Sequence, residues 1–382
     1  MTNPFRPTFG ASPQYWAGRR IILDDYAEAL ASGPGAAART LVITGSRGIG
    51  KTVLLNELED IAATQGWLVL RASARGDIVA ELTDSVIPAK IQELSPPTTR
   101  RVTGVGITGL GTVTTSVTGP DERDLPRPTL DSRLRDLLAM VSGTGVLITV
   151  DEIQDADRDA LSRLAVTYQN LIRDDLEISL AMAGLTHGVE TLLNLPGTTF
   201  MRRAHRYDLG PLTSEDAADV LATSSRDSGL AFDTTGLASA VHLAAGYPYL
   251  VQLVGSLAWN VAHRADADSI SVQQVDSIRE EAVATMGAQV HHPSLKGVPT
   301  VQREYLEAMA ALAAHGRGGT DDPVATAAIA ERLGKTQRAA SDPRAKLIDR
   351  DLISPAGWGK VQFTLPYLGD WLRGSGTVRR IS

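Results

Sequence analysis

Thr40-Leu41-Val42-Ile43-Thr44-Gly45-Ser46-Arg47-Gly48-Ile49-Gly50-Lys51-Thr52 is the stretch whose reading decides the fold. Its last eight residues spell G-x-x-x-x-G-K-[ST], the phosphate-binding loop. The β-branched apolar run before them has the character of a buried parallel strand. After them, Leu54, Leu55, Leu58, Ile61 and Ala62 recur at helical spacing. Strand, glycine loop and helix therefore stand in the order such a loop requires. Each position has a physical task. Gly45, Gly48 and Gly50 let backbone N–H groups turn inward around Ser46, Arg47 and Ile49 and surround phosphates without side-chain clashes. The following helix adds the partial positive charge of its N-terminus. Lys51 is expected to reach the β- and γ-phosphates, and the Thr52 hydroxyl to ligate Mg²⁺. The loop implies a bound nucleoside triphosphate.

A second strand completes the expected site. Gly145-Val146-Leu147-Ile148-Thr149-Val150-Asp151-Glu152 is apolar and finishes in two carboxylates. In a parallel sheet covered on both faces, strand carboxyl ends converge on the ligand crevice. Asp151 is expected to hold the Mg²⁺, and Glu152 to orient and deprotonate an attacking water. Trp67–Leu70 and Leu176–Ala183 read as further strands, with a helix over roughly 157–173 between the acidic strand and the last of them. This alternation indicates an α/β doubly wound sheet. The fourth strand leads into Thr186, which either presents its hydroxyl near the γ-phosphate or caps a helix before His187.

The 382 residues predict two or three domains, and a hydrophobic content of 43% with 21% charged residues describes an ordinary globular chain. The absence of cysteine excludes disulfides and thiolate metal sites. Neither a signal-peptide core nor a membrane-length apolar run is present, which predicts a cytoplasmic protein without a membrane partner. The nucleotide-binding α/β domain is expected over 1–210, with a β-hairpin insertion at about 98–120. A helical unit follows over 211–290, opened by Thr213-Ser214-Glu215-Asp216 with cap chemistry. The paired His291 and His292 lack a carboxylate at ligand spacing and read as part of a solvated linker.

A third unit is expected over 298–382. Val324–Gly334 reads as a short helix, Thr336–Arg350 contains a second, and Leu352–Ser354 with Lys360–Thr364 reads as a hairpin. Helices with a tight turn followed by a hairpin make a winged helix, although Pro343 must kink the second helix or start a shorter one. The formal net charge is −7, but residues 331–382 carry ten basic and five acidic residues, so the tail is net +5 and the remainder −12. Such a unit would lay Arg338, Arg344, Lys346 or Arg350 toward a groove of duplex DNA, with Lys360 on the wing. Docking to a protein partner is the alternative.

With Asn3-Pro4-Phe5, Ala17-Gly18-Arg19, Gly246-Tyr247-Pro248 and Phe363-Thr364-Leu365-Pro366 added to the two nucleotide motifs, the chain resembles bacterial AAA+ ATPases related to the origin-recognition-complex ATPase domain. It is similar also to the STAND signalling ATPases, which share the proline and a following winged helix. The resemblance implies ATP and ADP as ligands, Mg²⁺ as cofactor, Arg19 beside the adenine and Pro248 approaching the nucleotide from the helical lid. It implies an arginine finger at Arg202 or Arg203, offered to a neighbouring copy in a homo-oligomer. Tyr249 stands where many AAA+ proteins carry a lid arginine. Two readings follow: an ATPase acting as a conformational switch on DNA, and a nucleotide-gated switch whose partner is a protein.

Overall fold

The computed structural model describes residues 2–8, 10, 12–15, 17–95, 127–141, 143–193, 199–314 and 321–374. The insertion expected at 98–120, like Arg379 and Arg380, lies outside the described residues.

Five strands form the central sheet: β1 (Thr40–Gly45), β2 (Leu68–Ser73), β3 (Val146–Asp151), β4 (Ile178–Gly184) and β5 (His205–Leu209). Their order is β2-β3-β4-β1-β5 and every pairing is parallel. Successive side chains of a strand point to opposite faces, and two cores form accordingly. Leu41, Ile43, Leu147 and Ala181 pack on one face with Leu54, Leu55 and Leu58 of the Lys51–Thr64 helix. Val42, Ile148, Leu180 and Met182 pack on the other with Leu161 and Leu164 of the Arg158–Arg173 helix. Both faces of β1, β3 and β4 are therefore dry, and these strands read as continuous apolar runs. The edge strand β5, His-Arg-Tyr-Asp-Leu, is largely exposed and has no such signature. The sequence reading missed it for that reason.

Buried Arg39 joins the first helix to the sheet. It donates to the carbonyls of Ala29 and Leu30 at 2.8 and 2.5 Å and pairs with Glu177 at 2.5 Å. Its guanidinium lies 4.8 Å over the Trp67 ring. A charge taken out of water needs this degree of pairing.

The lid consists of helices Ser214–Asp227, Thr234–Ala244, Pro248–Arg264, Val272–Ser277 and Arg279–Met286. The expected cap at Thr213 forms, its hydroxyl accepting from Asp216 N; further on, Ser271 makes a capping box with Gln274. The linker reading of His291 is corrected. The chain continues helically through Gly287–His291 and His292–Leu295, and His291 is fully buried. Its Nε2 donates to Pro366 O at 2.9 Å, and its ring meets Trp371 edge-on at 6.1 Å. Two adjacent histidines give no sequence signal of burial when the covering residues, Pro366 and Trp371, come so much later in the chain.

Burial pushes the His291 imidazole down to about 4, against an ordinary value of 6.5. The folded protein therefore holds it neutral while the unfolded chain takes up a proton below 6.5. This contribution to stability is intact above pH 6.5 and is lost progressively as the pH falls toward 4. Between about pH 7.5 and 5 we expect a loss of about 2 kcal/mol from this residue. Urea unfolding of the wild type and of His291→Gln at the two pH values measures it. The variant, whatever its starting stability, should lose less on acidification.

The carboxyl-terminal unit contains helices Thr300–Leu312, Thr326–Arg332, Gln337–Asp349 and Leu368–Gly374 and a three-stranded antiparallel sheet. The sheet strands are β6 (Val324–Ala325), β7 (Ile353–Pro355) and β8 (Lys360–Phe363), in the order β6-β8-β7. Two expectations change here. Val324 and Ala325 are not the start of a helix but pair with Val361 and Lys360; cross-strand pairing overrides a helix-prone sequence. Pro343 lies inside one continuous helix and is buried, so of the two alternatives it does not start a shorter helix. The unit is fastened to the lid: Tyr367 donates to Leu243 O at 2.8 Å, and Trp371 fills the space that a side chain at Gly287 would need. No helix among the described residues is long and apolar enough to cross a membrane.

Candidate nucleotide-binding site

The parallel registers place Gly45, Asp151 and Gly184 at the carboxyl ends of adjacent strands. The phosphate loop leaves β1 there and enters the Lys51–Thr64 helix, with Gly50 in a left-handed conformation at the N-cap. Gly48, at φ +72°, is approached by the lid: a Cβ built on it would lie 2.5 Å from the Tyr247 hydroxyl. That hydroxyl donates to Arg47 O, so lid and loop are joined directly.

Lys51 is 6% exposed, and its ammonium donates to Gly45 O at 2.9 Å and Ser46 O at 2.8 Å. Burial lowers its pKa, against the raising influence of Glu152, Asp151 and Asp351. Thr52 donates to Asp151 Oδ2 at 2.5 Å, and Asp151 Oδ1 accepts from Glu152 N at 2.8 Å. Burial raises the Asp151 pKa, while the bonds from Thr52 and the Glu152 amide lower it. Glu152 itself sits at φ +54°, in the left-handed region unusual for a residue with a side chain, and its carboxylate is exposed.

A pocket of about 370 Å³ opens on this cluster, within the range of small-molecule sites. The phosphate loop and Glu152 form one wall, and Arg19, Tyr15, Pro248 and Tyr249 contribute to the others. Arg19 is held by Gly210 O at 2.5 Å. The sequence-predicted Gly48, Gly50, Lys51, Thr52, Glu152, Arg19 and Pro248 are thus brought together around one cavity.

Other expected residues lie elsewhere. Thr186 opens the Thr186–Leu193 helix, outside the pocket lining, and donates to Asp208 Oδ1 at 3.2 Å. Arg202 and Arg203 are exposed on the short turn Thr199–Arg203, away from the chain's own pocket; Arg202 donates to Leu193 O at 2.8 Å. On the Gln337–Asp349 helix Arg338 and Lys346 are exposed and Arg344 is half-buried, with Arg350 at its C-cap. Lys346 pairs with Asp342 at 2.9 Å. Lys360 starts β8 and is exposed.

Two carboxylates near the site escaped the sequence reading. Asp208, near the end of the unpredicted β5, accepts from Thr44 at 2.8 Å as well as from Thr186. Asp351, at φ +57° in the turn after the basic helix, lies close enough to Lys51 and Arg47 for their charge to reach it. Burial dominates there and pushes its carboxyl up to about 6. Alongside it, Asp349 Oδ1 pairs with His187 Nε2 at 2.9 Å. A strand-terminal Asp was a signal available for the first; nothing local marks the second.

Residues 15–180 match the family model described as AAA ATPase domain, and residues 288–372 match a domain of unknown function (DUF8462). No curated protein matches the chain. Among solved structures it is similar to the ORC2 protein of Aeropyrum pernix, in its ADPNP–ADP complexes, at 15% identity and TM-score 0.63, covering 96% of each chain. A Walker-type ATPase of Pyrococcus abyssi aligns at 15% identity and TM-score 0.60, over 93% of this chain and 95% of that one. At such identities the likeness concerns the fold.

Proposed function

We propose that this chain, an ATPase of the AAA+ type, binds ATP with Mg²⁺ and uses slow hydrolysis as a conformational switch acting on duplex DNA. The observation that carries the reading is the meeting of Lys51, Thr52 and Glu152 in one cavity, with Asp151 bonded to Thr52 behind them. Backbone amides of the loop and the Lys51 ammonium would hold the phosphates. The Thr52 hydroxyl and Asp151 carboxylate, oxygen donors in direct contact, fit a hard cation and would hold Mg²⁺; bound there, it would neutralise charge developing on the phosphates. Glu152 would take the proton of the attacking water. Arg202 and Arg203, exposed and remote from their own pocket, suit a role across a subunit boundary in a homo-oligomer. The ADPNP and ADP seen in the Aeropyrum pernix ORC2 structure are in keeping with an adenine nucleotide here.

The helices and antiparallel hairpin of the carboxyl-terminal unit support reading it as a winged helix, with Arg338, Arg344, Lys346, Arg350 and Lys360 as its DNA-facing residues. One observation favours the second reading, a switch with a protein partner. The helix that would enter the groove carries Asp342 and Asp349 among its cations and is tied to the ATPase domain through His187.

Steady-state ATP hydrolysis with and without duplex DNA, at low and moderate salt, separates the two. We expect stimulation of several-fold that fades as salt rises, because phosphate contacts release counterions. Hydrolysis indifferent to DNA at both salt levels would leave the protein-partner reading.

A further inference from the structure

We infer that Gln154 is a positioning residue that fixes the Glu152 carboxylate in its working place. The inference rests on the reading of Glu152 as the base and adds the group that orients it. Glu152 is exposed and its side chain rotates about several bonds; a free carboxylate of this kind spends most of its time out of reach of a water at the γ-phosphate. Backbone geometry alone does not hold it. The Asp151 bond to Glu152 N and the left-handed φ fix the main chain and leave the side chain loose.

Gln154 supplies the missing restraint. Its Nε2 donates to Glu152 Oε2 at 2.6 Å, and its Oε1 accepts from Leu185 N at 2.9 Å. The second bond orients the amide, because an N–H can only face the oxygen, and so presents the NH₂ group to the carboxylate. Glu152 is thereby tied to the exit of β4.

The surroundings of this amide are cut to its shape. A Cβ on Gly184 would lie 2.7 Å from Gln154 Oε1, and one on Gly188 would lie 2.4 Å from Gln154 Cβ. Neither glycine has a positive φ to explain it; both are positions where a side chain would displace Gln154. The tie also runs to the turn that carries Thr186 and His187, so the base is registered against the same turn that meets Asp208 and Asp349. A neutral donor suits the task, since it restrains the carboxylate without a counter-charge that would depress its basicity.

The test compares Gln154→Leu, Gln154→Glu and Glu152→Gln in the full chain, with ATP and Mg²⁺. Gln154→Leu should lower kcat about tenfold and leave KM and the ATP dissociation constant within about twofold. Gln154→Glu keeps the size and the acceptor for Leu185 N but replaces the donor by a second carboxylate. It should lower kcat with KM and the ATP dissociation constant again within about twofold, because the donor that holds the Glu152 carboxylate is gone. A merely structural role would not separate kcat from KM in this way. If Glu152→Gln abolishes hydrolysis while both Gln154 variants keep wild-type kcat, the Gln154 inference falls alone. A rise in kcat for Gln154→Leu would also overturn it. If Glu152→Gln still hydrolyses ATP, the reading of the base falls, and this inference with it.

Discussion

Replacing Lys51 by alanine is expected to weaken ATP binding by at least about 100-fold. The ammonium is nearly inaccessible and desolvated, which lowers its pKa, but three carboxylates act to keep it charged. It donates two hydrogen bonds within the loop, to Gly45 O and Ser46 O. Its expected task is to donate to phosphate oxygens of the nucleotide. Charge-assisted bonds of this kind are worth about 1.5–3 kcal/mol each. Two of them correspond to a few hundred-fold in affinity or more. Calorimetric titration of the wild type and Lys51→Ala with ATP measures the difference. Equal affinities would remove Lys51, and with it the phosphate-loop reading, from the site.

Glu152→Gln should act differently: ATP binding within about threefold of wild type and hydrolysis reduced at least about 100-fold, the scale of a lost general base. The substitution keeps the size of the side chain and the backbone bond to Asp151. It replaces a proton acceptor with an amide that also faces the Gln154 NH₂ group. Single-turnover phosphate release from a preformed ATP complex isolates the chemical step. Unchanged turnover would require another base at the γ-phosphate.

How much of this could be read from the sequence depends on how local the chemistry is. The phosphate loop, β1 and the helix after it are consecutive, and their signals reinforce one another. The acidic pair ends an apolar strand and was legible for the same reason. What escaped depends on neighbours distant in the chain. β5 is an exposed edge strand whose residues pair on one side only, so no apolar run marks it. Asp351 comes to Lys51 from a different unit, about three hundred residues away. His291 looked like linker because Pro366 and Trp371, which cover it, come from the Leu368–Gly374 helix and the turn before it. Val324 and Ala325 form a strand only because Lys360 and Val361 offer an edge. Gln154, two residues after Glu152, was visible but unremarkable until the two glycines that make room for it came into view.

The fastening of the carboxyl-terminal unit to the lid gives the chain a mechanical character. Tyr367 on Leu243, His291 on Pro366 and Trp371 against Gly287 join the carboxyl-terminal unit to the helices before it at three places. The covalent passage from sheet to lid is the short segment Gly210–Thr213, with Leu212 N bonded to Gly246 O at 2.7 Å. The carboxyl-terminal unit also reaches back to the sheet domain, where Asp349 pairs with His187 and Asp351 lies within reach of the charges of Lys51 and Arg47. We expect any displacement of the lid to be felt at the phosphate loop, because the unit that carries Asp351 is fastened to the lid.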